Sequence, residues 1–308
     1  MKIIRTFADL QKYKDSSVAT IGNFDGVHLG HQHILKTINQ QAKKTNLKSV
    51  VVCFEPYPLE FINPTKAPAR LSTISDKIKI FKKFNIDILL VLKFNQILMN
   101  LSPIDFIETI IQNGLQTKFL FIGDDFHFGK NRVGNYETLQ KKSKIYGFDV
   151  KKSSTIEYKD QRISSTRVRD ALSNDDFGLI YDLLGTQYCI SGKVCHGKKL
   201  GATLGYPTAN ISIKQKKQPL FGVYVVNIVD DKNKTYQGVA NIGTRPTIGG
   251  TKTYLETYIF DFKKNIYGKN LKICFLKKVR DEKKFNNIAG LTEQITKDVR
   301  FAKKYLKI

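Results

Sequence analysis

The chain reads as an α/β half followed by a small antiparallel β-barrel closed by a C-terminal helix. Three observations predict this. Up to about residue 185, short apolar runs alternate with helical patterns, which implies βαβ units and a parallel sheet covered on both faces. After Leu184-Gly185 the texture changes to short strands punctuated by turn residues, the pattern of a small barrel. The 308 residues also exceed an average domain and leave room for two cores.

In the first half, residues 18–22, 49–54, 87–92 and 118–122 are brief apolar runs and read as buried strands. Residues 30–44, 74–84, 103–113 and 135–146 carry helical periodicity and supply the crossovers, which are right-handed in such folds. Ligands of these sheets bind at the carboxyl ends of the strands. In the second half, 188–195, 222–229, 236–242, 254–260 and 271–279 read as strands, and 292–305 as the closing helix. No repeat or low-complexity linker intervenes, so the junction is expected between Leu184 and Tyr188, giving domains 1–185 and 186–308.

Composition narrows the class. Hydrophobic content of 41% with 25% charged residues fits a globular chain. The longest apolar stretch, 86–101, is broken by Asp87, Lys93, Asn95 and Gln96, so no membrane span is expected. The N-terminus has a basic residue but no apolar h-region, which points to the cytoplasm. Cys53, Cys189, Cys195 and Cys274 show no zinc-ligand spacing and read as reduced, mostly buried thiols. Net charge is +24, with 27 Lys and Arg against 19 Asp and Glu in residues 1–185 and 24 against 8 beyond. That balance favours anionic partners without choosing among nucleic acid, ATP and flavin phosphates. Lysine dominates, whereas readers of bases and phosphates lean on arginine, so most of this charge reads as solvated surface and no nucleic-acid partner is expected. Oligomeric state stays open: nothing in the sequence decides for or against a homo-oligomer.

The strongest local signal is Gly22-Asn23-Phe24-Asp25-Gly26-Val27-His28-Leu29-Gly30-His31, placed where a buried strand ends and a helix begins. Glycines permit close backbone approach, and the free N–H groups of a first helical turn favour an anion. His28 and His31, three residues apart, can face the same way and donate to phosphate oxygens. A second run, Ile163-Ser164-Ser165-Thr166-Arg167-Val168-Arg169, puts three hydroxyls and two guanidiniums at a helix start, where Ser alone is most often a cap. Phe54-Glu55-Pro56-Tyr57-Pro58 and Ile122-Gly123-Asp124-Asp125-Phe126-His127-Phe128 follow predicted strands and so share the rim. Phe54, Phe126 and Phe128 could face a ligand ring or be core, and the residues alone leave both open.

In the second half, Gly201-Ala202-Thr203-Leu204-Gly205-Tyr206-Pro207-Thr208-Ala209-Asn210 indicates a tight turn. Gly238–Thr247 and Leu255-Glu256-Thr257-Tyr258 follow, and Glu256 by itself reads as an outward-facing strand residue among basic neighbours.

Taken together, these blocks resemble the prokaryotic bifunctional riboflavin kinase/FAD synthetases, in the family's order and over nearly the whole chain. The first run resembles the HxGH signature of the Rossmann-like nucleotidyltransferases. The resemblance implies FMN adenylyl transfer in the first half, with His28 and His31 stabilising the ATP α-phosphate. It places Gly22, Asn23, Phe24, Asp25, Gly30 and Asp124 at the nucleotide, and Ser164, Ser165, Thr166 and Arg169 on the β- and γ-phosphates. Phe54, Pro56, Pro58, Phe126 and Phe128 would meet the flavin. The Leu-Gly-aromatic-Pro-Thr-Ala-Asn run is similar to the hallmark of riboflavin kinases. That implies Gly205, Thr208 and Asn210 at ATP, Thr208 and Asn210 as ligands of Mg2+, and Glu256 as the base that deprotonates the ribityl hydroxyl. Implied substrates and products are ATP, riboflavin, FMN and FAD. Two departures stand out: Tyr57 where the family commonly has His, and Lys198-Lys199 in a loop that customarily carries arginines, which cannot be matched in bidentate geometry by lysine.

Overall fold

A computed structural model of the chain describes residues 1–197, 200–213, 217–247 and 250–308. The departure at Lys198 and Lys199 lies outside the described residues. The chain forms two compact units, Met1–Pro68 with Thr73–Ser164, and Ala69–Ser72 with Ser165–Ile308.

The main sheet of the first unit is built from β1 (Lys2–Ile4), β2 (Ser17–Ile21), β3 (Lys48–Glu55), β4 (Ile88–Lys93), β5 (Thr117–Ile122) and β6 (Asp149–Lys152). They form one sheet in the order β1-β4-β3-β2-β5-β6, with every pair parallel. Its helices are α1 (Phe7–Gln11), α2 (Leu29–Thr45), α3 (Pro58–Ile62), α4 (Ile74–Lys83), α5 (Gln96–Asn100), α6 (Pro103–Phe106), which runs on as a wider turn to Gln112, and α7 (Tyr136–Tyr146). Both faces of the sheet are covered, as the unbroken apolar runs require. Val50 and Val52 pack with Ile107, Ile110 and Leu120 on one side, and Val51 and Cys53 pack with Leu35, Ile38 and Phe81 on the other.

The four strands expected here are present. The two added strands, β1 and β6, are sheet edges. Each pairs with one neighbour only, and their short sequences, Lys-Ile-Ile and Asp-Val-Lys-Lys, are too brief or too charged to announce a strand. Strand order reverses between β2 and β5, so the crevice where such sheets bind ligands opens at the ends of those two strands. A short hairpin, β7 (Glu157–Tyr158) with β8 (Gln161–Arg162), follows the sheet.

The second unit begins with helices α8 (Ser165–Ser173) and α9 (Phe177–Leu184). Asp175 between them accepts hydrogen bonds from the Tyr224 hydroxyl at 3.1 Å and the Lys278 ammonium at 2.6 Å, which ties the pair to the barrel. The barrel comprises β9 (Cys189–Cys195), β10 (Thr208–Ile211), β11 (Gly222–Val229), β12 (Thr235–Thr247), β13 (Gly250–Ile259) and β14 (Asn270–Arg280). It closes antiparallel in the order β10-β13-β12-β11-β14-β9. Helix α10 (Leu200–Thr203) precedes β10, and α11 (Ile288–Leu306) lies on the outside.

Strand β10 is a correction to the reading of 201–210 as a turn. The turn ends at Gly205, held at φ +83°, and Pro207 leads into a strand because Thr208–Ile211 pairs with both β13 and β9. The cysteines are a second correction to the expectation of four reduced thiols. Cys189 and Cys274 stand directly opposite each other on β9 and β14, their Cα atoms 4.0 Å apart, and are joined as a disulfide. Cys53 is buried and free, Cys195 exposed and free.

Candidate active sites

Strand β2 delivers the chain at Gly22 into a tightly folded loop. Phe24 and Val27 both take left-handed backbone angles, with φ of 49° and 42°, and Gly26 between them has φ of 76°. The Phe24 ring points inward, edge-on to Phe81 at 5.7 Å. His28 then caps α2: its Nδ1 accepts the His31 backbone N–H at 3.3 Å. With Nδ1 accepting, a neutral His28 carries its proton on Nε2.

The two imidazoles stack at 3.7 Å and 21°. Gly30 makes this possible, since a Cβ there would lie 3.2 Å from the His28 ring and 3.5 Å from the Ile163 carbonyl oxygen. The same contact shows that Ile163-Ser164 runs beside the histidine turn. Burial first, then the charges of His28, Lys77 and Arg162, push the His31 imidazole well below its ordinary pKa, so it is neutral near pH 7. Its Nδ1 is shielded and has no hydrogen-bond partner among the described residues.

Beneath this loop lies a buried polar brace that sequence reasoning missed. Lys77 is fully buried; its ammonium donates to the Asn23 carbonyl at 2.9 Å and to the Tyr57 hydroxyl at 3.3 Å, and lies 4.7 Å from the Tyr57 ring centre. The Tyr57 hydroxyl donates to Asp25 Oδ1 at 3.0 Å. A signal existed, since Lys77 occupies the apolar stripe of α4 formed by Ile74, Ile78 and Phe81, where a solvated lysine does not belong. Tyr57→Phe removes one buried donor and one acceptor. It is expected to lower the stability of this unit by about 1–3 kcal/mol. The check is a lower urea midpoint for loss of FAD synthesis, with the kinase rate unaffected.

Asp124, on the loop after β5, accepts a short hydrogen bond from the Thr155 hydroxyl, and Asp125 pairs with Arg162 at 3.0 Å. Of the aromatic residues on this rim, Phe128 packs into the core, and Phe126, stacked on it at 5.6 Å, is the half-buried ring of the pair. Phe54, just before the cis Glu55-Pro56 bond, is half-buried and meets Phe94 edge-on at 6.0 Å. Phe94 in turn meets Phe61 at 5.8 Å, and Phe61 with Leu59 and Ile62 leaves an exposed apolar edge on α3 beside Pro56 and Pro58. Phe61 and Phe94 carried no motif and were not singled out. The remaining loop residues, Ser165, Thr166 and Arg169, belong to the second unit, where Arg169 Nε donates to the Ala69 carbonyl at 2.6 Å.

The barrel carries a separate cleft of about 260 Å³ between its outer face and α11. Strand alternation sends Ala209, Ile211, Leu255 and Ile259 into the barrel and turns Thr208, Asn210, Glu256 and Tyr258 outward to the cleft. Register sets Asn210 directly opposite Glu256, and Glu256 directly opposite Asn241. Three of the four residues singled out for this half, Thr208, Asn210 and Glu256, therefore share one surface. Gly205 does not line it; its part is the left-handed turn before β10.

Close packing fixes the pieces. A Cβ on Gly197 would lie 2.2 Å from Asn210 Nδ2, and one on Gly201 2.4 Å from the Tyr206 carbonyl oxygen. The Tyr206 hydroxyl reaches Thr296 on α11 at 2.9 Å. Arg280 holds the helix over the cleft: Nε and Nη2 donate to the buried Asp298 carboxylate at 2.8–3.0 Å, and Gln294 donates to the same carboxylate at 2.9 Å. A fork-to-carboxylate pair of this kind is strong and directional. Nothing short of the fold linked Arg280 to Asp298, residues 18 apart on different elements.

Comparison with known proteins agrees along the whole length. Family models for FAD synthetase and for riboflavin kinase match residues 10–167 and 184–306. Proteins named bifunctional riboflavin kinase/FMN adenylyltransferase are similar end to end. The one from Haemophilus influenzae is 44% identical over 99% of both chains, and one from Buchnera aphidicola is 42% identical over all of both. A solved structure described as a macrolide-efflux protein from Streptococcus pneumoniae superposes with TM-score 0.79 at 28% identity, covering 97% of each chain. No helix among the described residues is long and apolar enough to cross a membrane.

Proposed function

Because the chain belongs to the bifunctional riboflavin kinase/FMN adenylyltransferase family, we propose that residues 1–185 carry the adenylyl transfer and residues 186–308 the kinase, each with its own ATP site.

For adenylyl transfer, an FMN phosphate oxygen attacks the α-phosphorus of ATP, and the bond to pyrophosphate breaks. His28 Nε2 and the neutral His31 ring donate hydrogen bonds to the α-phosphate oxygens at the helix start, and the hydroxyls of Ser164, Ser165 and Thr166 with Arg169 take the departing phosphates. Gly22, Asn23, Phe24, Asp25 and Asp124 shape the nucleotide side of the rim. Phe54, Pro56, Pro58 and Phe126, with Phe128 backing it, give the flavin ring an apolar seat, extended by Phe61 and Phe94.

For the kinase, Glu256 takes the ribityl hydroxyl proton as that oxygen attacks the γ-phosphorus and ADP leaves. The outward hydroxyl of Thr208 and amide oxygen of Asn210 are hard donors two residues apart on one strand, a set that fits Mg2+ completed by phosphate oxygens and water. When bound, the metal neutralises phosphate charge.

What supports this assignment most is the convergence of Thr208, Asn210 and Glu256 on one cleft, from two strands and two separate sequence blocks. A chromatographic time course with riboflavin, ATP and Mg2+ tests it. FMN is expected to rise and then give way to FAD; riboflavin left untouched would overturn the kinase assignment.

A further inference from the structure

Beside Glu256 the cleft holds a further polar side chain, that of Asn241. Asn241 lines it on β12, directly across from Glu256 on β13, with Asn210 on the far side of Glu256. Its amide Nδ2 donates to the Tyr254 hydroxyl at 3.4 Å, and that hydroxyl donates to Glu282 Oε1 at 2.5 Å. Gly243 leaves the space for this chain: a Cβ there would lie 2.1 Å from Glu282 Oε1 and 2.7 Å from the Tyr254 hydroxyl. The amide is thus aimed from one end. Its other end, Oδ1, is shielded from solvent and has no hydrogen-bond partner among the described residues. An acceptor withdrawn from water without a donor costs roughly 1–3 kcal/mol, a cost recovered when a donor arrives.

We propose that Asn241 is a substrate-binding residue of the kinase cleft, whose amide oxygen accepts a hydrogen bond from a ribityl hydroxyl next to the one that is phosphorylated, with Tyr254 and Glu282 as its positioning residues. This rests on Glu256 being the base at the reacting hydroxyl. Directly paired residues of an antiparallel ladder stand about 4.5–5.5 Å apart at Cβ, close enough for both side chains to converge on hydroxyls of neighbouring carbons in one polyol. A chain whose terminal hydroxyl meets Glu256 therefore brings its next hydroxyl to Asn241. An amide oxygen suits this place better than a carboxylate, because a second negative charge beside Glu256 would raise the cost of ionising the base.

The test compares two flavins in the full-length protein, both read through FMN formation: riboflavin as substrate, and lumiflavin, which has the ring system without the ribityl chain, as competing inhibitor. For Asn241→Ala the riboflavin KM is expected to rise about tenfold, the loss of one good hydrogen bond. The lumiflavin inhibition constant and the ATP KM stay at wild-type values. Tyr254→Phe is expected to move riboflavin alone in the same direction by about threefold, since it loosens the amide without removing it. The unchanged lumiflavin constant and ATP KM report that the barrel of each variant is folded, and FAD formation from FMN reports the same for the first unit.

Riboflavin and lumiflavin weakening together would mean a disturbed cleft, and neither weakening would mean no contact; either result overturns the proposal. Glu256→Gln separates the premise. A variant that kept wild-type kinase rates would remove the base itself. An inactive Glu256→Gln beside an unchanged flavin ratio in Asn241→Ala would refute the role of Asn241 alone.

Discussion

Glu256→Gln is expected to lower FMN formation by about 10²–10⁴-fold, the contribution of a well-placed general base, while added FMN is still converted to FAD. Gln keeps the length and one oxygen of Glu256, so the strand and its pairing with Asn210 and Asn241 survive. What disappears is the ability to take a proton. The riboflavin and ATP KM values should change little, because the lost interaction is made in the transition state and not in the ground state. Initial rates of FMN formation from riboflavin and of FAD formation from FMN, measured on one preparation, check both halves of the statement.

His28→Ala should give the opposite pattern: FAD formation from FMN falls by about 10²–10³-fold, and FMN formation is unchanged. His28 has one task in the structure and a second in the proposed mechanism. It caps α2 through Nδ1, a contact whose loss costs about 1 kcal/mol, and in the proposed mechanism it donates its Nε2–H to the α-phosphate. His28→Asn separates them, since Asn is a good cap but presents its amide in another place. If capping alone mattered, His28→Asn would restore FAD synthesis. The expected result is a restored urea midpoint without restored activity. His31 should be as sensitive as His28, through hydrogen bonding and not through charge, because its imidazole is held neutral.

Much of this was legible in residues that combine a backbone requirement with a chemical one. Gly30 between His28 and His31 is there because a Cβ would crowd the His28 ring, and the spacing itself announced the turn. The predicted strands of the first half came from apolar runs that must be buried on both faces, and all four are found. Edge strands β1 and β6 were silent, because a strand with one neighbour needs little apolar sequence. β10 was hidden by the glycines and proline just before it, since turn residues outweigh a four-residue strand.

The brace of Lys77, Tyr57 and Asp25 was legible only in part. Helical phase marks Lys77 as misplaced, a signal that went unread, and its partners lie 20 and 54 residues away, where sequence carries no sign of such pairings. The same holds for Arg280 with Asp298 and for Tyr254 with Glu282. Cys189 and Cys274 show how registration between distant strands decides chemistry. Nothing in a separation of 85 residues foretells that they stand opposite each other.

The central claim is that two independent sites, one in each half, act in series. Its most direct test follows riboflavin, FMN and FAD by chromatography in parallel reactions of Glu256→Gln and His28→Ala, each supplied once with riboflavin and once with FMN. The account predicts complementary gaps: Glu256→Gln leaves riboflavin unconverted but turns FMN into FAD, and His28→Ala accumulates FMN from riboflavin and makes no FAD from either. Loss of both products in both variants, or the same gap in each, would contradict it.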